Sequence, residues 1–219
     1  MPHLEILLVR HGETAWNAER RLQGHLDIGL NEQGMRQAAA VGHALRNTPL
    51  DAIWSSDLQR AAGTAGIIAA PRGMTVGLDA GLRERCYGAF EGLLYAELAG
   101  RYPDAYRAMQ AREIDARYPP GLYQAETLRE FSQRSLATID RLAASCHGPH
   151  RRIVLVTHGG VLECAHRAAT ETLLSVPRDF AIPNASVNRL RWSASEGLQI
   201  LDWADIAHLT RDALDEIAN

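Results

Sequence analysis

The sequence has few cysteines, no long apolar run and no excess of basic residues. Its 219 residues include three widely spaced cysteines, Cys86, Cys146 and Cys164, which suit neither a disulfide framework nor a four-thiolate zinc site. No apolar run approaches the roughly 20 residues that cross a membrane, and no signal segment precedes the first apolar run. A net charge of -3 means that the chain lacks the excess of positive charge that is typical of nucleic-acid-binding proteins. We therefore expect a cytoplasmic protein with reduced thiols that binds neither nucleic acid nor membrane.

Apolar runs alternate with helical patterns along the chain, an order that favours an α/β fold. The expected elements are strands at residues 4–9, 52–54, 74–78, 153–156, 187–192 and 198–203, and helices at residues 31–46, 57–70, 127–145 and 161–170. Capping boxes predict helix starts at Asp57 and after Thr127, and Asn31 can cap a third helix. We expect one domain over residues 1–219, a three-layer α/β/α sandwich. Its sheet should be mostly parallel with an antiparallel edge strand, and residues 93–126 should form a small helical cap insertion.

Two of the predicted strands end in an imidazole followed by glycine. One tip is the Arg-His-Gly run at residues 10–12, and the other is the Thr-His-Gly-Gly run at residues 157–160. Open α/β sheets bind ligands beyond the carboxyl ends of their strands, where glycines allow close approach and helix amides attract an anion. Arg60, in the expected first turn of a helix that follows a strand, adds a second guanidinium to that of Arg10. The expected ligand is a tetrahedral phosphoryl group.

Several short motifs, none of them specific alone, together resemble the histidine phosphatase superfamily, also called phosphoglycerate-mutase-like. In the family's order they are the Arg-His-Gly-Glu-Thr run at residues 10–14, Asn17, Gln23-Gly24, the Ser-Ser-Asp run leading to Arg60, Leu-Arg-Glu at residues 82–84, Tyr87-Gly88, Glu91-Gly92 and residues 157–160. The resemblance implies that His11 is the nucleophile and becomes phosphorylated, and that Glu84 is the proton donor. The residues implied to hold the phosphoryl oxygens are Arg10, Arg60 and His158, and those implied to bind substrate are Asn17, Gln23, Gly24, Arg85, Tyr87 and Gly159.

The chemistry of phosphoryl transfer explains why a site would need these residue types. Negative charge spreads over three oxygens in the transition state, so fixed positive charge from the two arginines and a protonated His158 would stabilise it. A neutral imidazole such as that of His11 is a competent nucleophile near pH 7. The leaving alkoxide needs a proton from a carboxyl whose pKa is raised in a partly dry pocket. Glu84 is the best candidate for this carboxyl, and Glu13 and Glu91 remain alternatives.

The same residues would serve a phosphoglycerate mutase, so that alternative stays open. Arg85 and Tyr87 match the Glu-Arg-x-Tyr-Gly run of the mutases, but Tyr95 stands near the position of a mutase lysine, and residues 95–120 hold no adjacent arginine pair. We therefore favour a phosphatase that acts on small-molecule phosphomonoesters. A remote alternative is a non-catalytic protein that binds phosphorylated ligands.

Two rival sites centre on Cys146. The Cys-x5-Arg spacing from Cys146 to Arg152 matches that of cysteine phosphatases, but this run follows a predicted helix and precedes a strand, the reverse of the context that such a loop needs. A zinc site formed by Cys146, His147 and His150 is no better supported. We expect no metal or other cofactor, and a homodimer is left open.

Overall fold

A mixed sheet lies at the centre of the computed structural model, which describes residues 4–146, 151–210 and 214–215. Its strands are β1 (Leu4–Arg10), β2 (Ala52–Ser55), β3 (Val76–Leu78), β4 (Arg151–Thr157), β5 (Val187–Ser193) and β6 (Gly197–Asp205). Across the sheet the order is β3-β2-β4-β1-β5-β6. The first four strands in that order are parallel, β5 runs antiparallel to β1, and β6 runs antiparallel to β5. The hairpin of β5 and β6 therefore supplies the antiparallel edge of the sheet. Within it, β5 is the strand that runs opposite to the parallel strands.

Helices cover both faces of this sheet. They are α1 (Ala15–Ala18), α2 (Glu32–Leu45), α3 (Gln59–Ala69), α4 (Tyr95–Arg101), α5 (Pro103–Gln110), α6 (Leu128–Ser145) and α7 (Gly159–Thr170). Single turns of 3-10 helix lie at Ala70–Arg72, Ala80–Leu82 and Gly88–Phe90. Among the described residues, no helix combines the length and the apolar character needed to cross a membrane.

The central strands are buried on both faces, as expected of parallel strands between two helical layers. Because side chains alternate along a strand, Ile6 of β1 packs in one apolar cluster with α6 and α7, whereas Leu7 packs in another with α2 and α3. The middle of β4, Ile153 to Val156, has no exposed surface. This arrangement is the three-layer α/β/α sandwich expected from the sequence.

The residues expected to form the cap contain α4 and α5 and share a small core with Leu22 and Phe90. Phe90 stacks on Tyr118 with ring centroids 4.6 Å apart, and Leu98 and Met109 pack in the same cluster. Helical structure in this segment ends at Gln110, so the second half of the expected helical cap is irregular. The break follows from the backbone of Arg112, whose φ of 50° lies in the left-handed region.

The capping predictions have different outcomes. Thr127 caps α6 as expected, since its side chain accepts the N–H of Glu130 and the Glu130 carboxylate accepts the N–H of Thr127. Asn31 caps α2 by accepting the N–H of Gly34 at 2.7 Å. The predicted start at Asp57 is wrong, because α3 begins at Gln59 and its N-cap residue makes no side-chain cap.

Candidate active site

The two histidine tips lie side by side because β1 and β4 are neighbouring parallel strands. Their register pairs Arg10 with Thr157, so the next residues, His11 and His158, leave the sheet at the same edge. The two imidazole rings meet edge to face with centroids 5.1 Å apart. Both rings are buried. The structure therefore brings together the two tips that the sequence pointed to.

The His11 imidazole is oriented by its own neighbour. Its Nδ1 lies 2.7 Å from the carbonyl oxygen of Gly12, and since a carbonyl only accepts, Nδ1 carries the hydrogen. The other nitrogen, Nε2, then keeps its lone pair. Burial lowers the pKa of His11 well below 6.5, and the nearby Arg60 and Arg10 lower it further. The ring is consequently neutral and can act as a nucleophile.

Close backbone packing fixes the strand tip that carries His11. The N–H of Gly12 donates to the hydroxyl of Thr64 at 3.1 Å, and the amide of Asn184 donates to the carbonyl of His11 at 3.1 Å. A Cβ at position 12 would collide with the backbone of Gly34 in α2, which has no flexible side chain to move aside. Glycine is therefore required at this position, and the nucleophile is held rigidly.

Two buried guanidinium groups flank the nucleophile. Nη1 of Arg10 donates to the carbonyl of Ile182 at 2.6 Å and to that of Leu214 at 3.3 Å. Arg60 donates from Nη2 to Gly24 O at 2.8 Å and from Nη1 to the carbonyl of Leu26. Both arginines are about 1% exposed, so backbone carbonyls from distant parts of the chain hold these cations in place. Two fixed positive charges beside an imidazole form an environment suited to a phosphoryl group.

These side chains open into one cleft of about 480 Å³. Its walls include eight residues singled out from the sequence: Arg10, His11, Asn17, Gln23, Gly24, Arg60, Glu84 and Tyr87. Its other wall residues are Trp16, Arg20, Arg21, Leu22, Tyr95 and Asp215. Sequence reasoning missed this second group. Trp16, Arg20 and Arg21 could have been found from their closeness to His11 in the chain, whereas nothing in the sequence marks Asp215.

The Glu84 carboxylate is held by two backbone amides, that of the adjacent Arg85 and that of Gly160 at the start of α7. Oε1 accepts the N–H of Arg85 at 2.7 Å, and Oε2 accepts the N–H of Gly160 at 3.0 Å. A Cβ at position 160 would collide with Oε1 of Glu84 and crowd the Phe131 ring. The second glycine of the Thr-His-Gly-Gly run thus makes room for this carboxylate. Glu84 faces the same cleft as His11, where it could exchange a proton with a bound ester.

The two alternative carboxylates have other partners. Glu13 accepts a hydrogen bond from the amide of Asn31 at 2.8 Å. Oε1 of Glu91 accepts the N–H groups of His25 and Tyr87, and so joins two loops. Neither carboxylate is among the described residues that line the cleft.

His158 lies behind His11 rather than in the cleft wall, and Gly159 is likewise absent from the described wall residues. Nε2 of His158 is 2.8 Å from the hydroxyl of Ser56, the residue expected to cap α3. Burial lowers the pKa of His158 well below 6.5, and Arg60 lowers it further. Without a bound anion these effects favour the neutral form of His158, so the pKa direction does not support the protonated ring in this state.

Arg85 faces away from the nucleophile. It lines a neighbouring cavity of about 500 Å³ together with residues of the cap and α7. Its Nε donates to the carbonyl of Glu126 at 3.0 Å, and its guanidinium lies 4.6 Å from the ring centroid of Tyr118. Tyr87 lines both the cavity and the cleft. Of the two residues that match the mutase motif, only Tyr87 shares a wall with His11.

The cysteine-phosphatase alternative at Cys146 is not supported. Cys146 directly follows α6, and Arg152 lies in β4 with its guanidinium 2.7 Å from Glu5, so the run joins a helix to a strand. His147 and His150 lie outside the described residues. Within the described ranges, no cluster of three or more histidine, cysteine or acidic side chains could hold a metal ion.

Comparison with known proteins agrees with this geometry. The model of the histidine phosphatase superfamily (branch 1) matches residues 6–206. The chain belongs to the histidine phosphatase superfamily. Among its relatives, phosphoglycerate mutase-like protein 4 of Arabidopsis thaliana is 40% identical over 209 residues, which cover 94% of this chain and 87% of that protein. A metal-independent phosphoserine phosphatase of Arabidopsis thaliana is 36% identical over 212 residues, with 94% and 83% covered.

Solved structures share the fold of this chain. YhfR of Bacillus stearothermophilus superposes with a TM-score of 0.83 at 30% identity, and the match covers 94% of this chain and 98% of that one. The family assignment and the α/β sandwich expected from the sequence are thus confirmed. This histidine phosphatase superfamily member carries the family's motifs on a sheet edge of the expected kind.

Proposed function

We propose that this chain hydrolyses small phosphomonoesters through a phosphohistidine at His11. The observation that supports this most directly is the imidazole itself: Nε2 of His11 keeps a lone pair in a cleft that is also lined by two buried guanidinium groups and a carboxylate. A protein that only bound phosphorylated ligands would need the cations but not a nucleophile with a proton donor beside it.

The first half of the reaction transfers the phosphoryl group to the enzyme. The phosphoryl oxygens contact Arg10 and Arg60, and the lone pair of His11 Nε2 forms a bond to phosphorus as the ester P–O bond breaks. Glu84, in its protonated form, gives its proton to the leaving alkoxide, which departs as an alcohol. Charge developing on the transferred group is met by guanidinium groups that are already in place.

The second half returns the enzyme to its starting state. Glu84, now a carboxylate, takes a proton from a water molecule that attacks the phosphohistidine. The P–N bond breaks, inorganic phosphate leaves, and Glu84 is again protonated. We place His158 behind His11 as a positioning residue in this cycle, and Gly159, at the start of α7, as a source of backbone N–H groups. Asn17, Gln23 and Gly24 are proposed to line the substrate's path, with residues 93–126 as a cap over it.

A phosphoglycerate mutase is the second candidate. The name of the 40% identical relative favours it, since that protein is called phosphoglycerate mutase-like. The placement of Arg85 favours hydrolysis, because this mutase-type residue donates to Glu126 and Tyr118 outside the cleft of His11. The phosphoserine phosphatase relative also supports hydrolysis.

Rapid quenching tests the proposed mechanism. After incubation with a phosphomonoester, the peptide that holds His11 should carry an acid-labile, alkali-stable phosphoryl group, and His11→Ala should form no adduct. Phosphate release from a panel of esters is compared with interconversion of 3- and 2-phosphoglycerate, with and without the bisphosphate primer. Primer-dependent interconversion that is faster than phosphate release would identify a mutase instead.

A further inference from the structure

Arg20 occupies a strained backbone position in the wall of the cleft. Its φ of 56° lies in the left-handed region, which favours glycine or asparagine over arginine. Hydrogen bonds on both sides hold it there: the N–H of Arg20 donates to Asn17 O at 3.1 Å, and the N–H of Tyr95 donates to Arg20 O at 3.1 Å. A strained residue in a cleft wall is a reason to ask what its side chain does.

The next residue, Arg21, differs from Arg20 because its guanidinium already has partners. Nε of Arg21 is 3.0 Å from Glu19, its Nη1 donates to the carbonyl of Gly92 at 2.6 Å, and its guanidinium lies over the ring of Trp16. Within the described part of the chain, no hydrogen-bond acceptor or carboxylate pairs with the guanidinium of Arg20. Arg20 is exposed in the same cleft that His11 lines. It thus presents an unneutralised positive charge toward that cleft.

The charges around the cleft divide into two parts. Arg10 and Arg60 lie with His11 at the buried end, where two guanidinium groups suit a phosphoryl dianion. At the exposed end, Arg21 is paired with Glu19, whereas Arg20 adds a cation that no carboxylate of the described residues neutralises. The carboxylate of Asp215 also lines the cleft, but it accepts the N–H of Ile182 and lies near Arg178, so its charge is partly offset.

We propose that Arg20 determines specificity by binding a carboxylate group of the substrate, on the same small molecule as the phosphoryl group. This inference rests on the proposed function, because it assumes that the phosphoryl group sits between Arg10, Arg60 and His11. One guanidinium balances one carboxylate, and its planar fork of donors matches the two carboxylate oxygens. The substrate class is therefore the phosphomonoesters of small hydroxy acids or hydroxy amino acids.

A matched pair of esters tests this proposal. 3-Phosphoglycerate and glycerol 3-phosphate differ in that a carboxylate replaces a hydroxymethyl group. Arg20→Ala should raise the KM for 3-phosphoglycerate by about fivefold to tenfold, the range expected for one partly exposed charged hydrogen bond. The KM for glycerol 3-phosphate should change by less than about twofold, and so should the kcat for either ester.

Three further variants separate charge from backbone effects. Arg20→Lys should recover part of the preference for 3-phosphoglycerate, because it keeps the charge and loses the fork. Arg20→Asn tolerates the left-handed backbone and should behave like Arg20→Ala. Arg36→Ala removes an exposed arginine of α2 that contacts Gln33 and Glu32 and should leave both KM values unchanged. Equal losses for the two esters in Arg20→Ala, or no change for either, would overturn the assignment.

Binding without turnover keeps this test independent of the hydrolase proposal. In the His11→Ala background, calorimetry should show that 3-phosphoglycerate binds about fivefold to tenfold more weakly once Arg20→Ala is added, with glycerol 3-phosphate unaffected. Loss of this difference would reject the role of Arg20 even in an active phosphatase. If the wild-type protein releases phosphate from neither ester but the binding difference persists, the hydrolase proposal fails and the carboxylate site stands.

Discussion

The imidazole rings of His11 and His158 meet edge to face, 5.1 Å apart between centroids, and burial, followed by the charge of Arg60, lowers the pKa of both. Neither ring can easily take up a proton, because each is buried and each lies near a cation. His11 is thus kept as a free base in acid solutions that would protonate an exposed histidine. A bound phosphoryl dianion would offset the positive charge and make protonation of His158 easier.

Acid should destabilise this protein through these two rings. Their folded pKa values lie below the ordinary 6.5, so below about pH 6.5 the unfolded chain binds protons that the folded chain does not. The free energy of unfolding is therefore fully retained above pH 6.5 and falls as the pH is lowered, by up to about 1.4 kcal/mol per pH unit for each ring. Urea unfolding at several pH values between 7.5 and 5 measures this slope. His158→Gln should reduce this slope by up to the contribution of one proton, about 1.4 kcal/mol per pH unit. An unaltered slope would contradict the lowered pKa of His158.

Replacing the proposed proton donor should slow the reaction according to the leaving group. Glu84→Gln should lower kcat for alkyl phosphates by about 10² to 10⁴-fold, the usual contribution of a general acid. The loss should be much smaller for nitrophenyl phosphate, whose leaving group hardly needs a proton. Steady-state kinetics on both esters provide the comparison. Equal losses on the two would mean that Glu84 does not protonate the leaving group.

Displacing the Glu84 carboxylate should also slow the reaction, and a methyl group at position 160 would displace it without removing it. Gly160→Ala places a Cβ against Oε1 of Glu84 and close to the ring of Phe131, so the carboxylate must move from the backbone amides that hold it. We expect kcat for alkyl phosphates to fall by at least about tenfold. Gly66→Ala in α3 is the matched control, since its Cβ would meet nothing within 4 Å. Full activity in Gly160→Ala would show that the position of Glu84 is not critical.

The contact between Ser56 and His158 can be tested through the serine. Removing its hydroxyl leaves Nε2 of the buried imidazole without this partner, and in the described structure Nδ1 has no hydrogen-bond partner either. Ser56→Ala should cost about 1 to 3 kcal/mol of unfolding free energy and reduce the rate of phosphohistidine formation. Ser195→Ala, in an exposed turn, serves as the control. A purely structural contact would lower stability and leave the rate of phosphorylation unchanged.

Sequence reasoning was most successful where structure depends on local chemistry and on strand tips. Runs that end in His-Gly after apolar strands predicted the site because parallel strands deliver their carboxyl ends to one edge. The helix start at Asp57 failed because the N–H of Gln59, which Ser56 was expected to cap, donates instead to Asp27 at 2.7 Å, a partner 32 residues away. The lowered pKa of His158 was not foreseen, because its burial depends on the whole fold. Arg85 was matched to a motif, but its direction is set by packing against Tyr118, which no local pattern reveals.

Because catalysis needs β1 and β4 in their native register, the activity of this protein reports on whether it has folded correctly. A slip of one residue in that pairing would turn every side chain of β1 to the opposite face and separate His11 from His158. The two strands come from distant parts of the chain, so their pairing forms only after a large loop has closed. Catalytic activity recovered after denaturation should therefore count the molecules in native register, and partly folded chains with native helix content should contribute nothing to it.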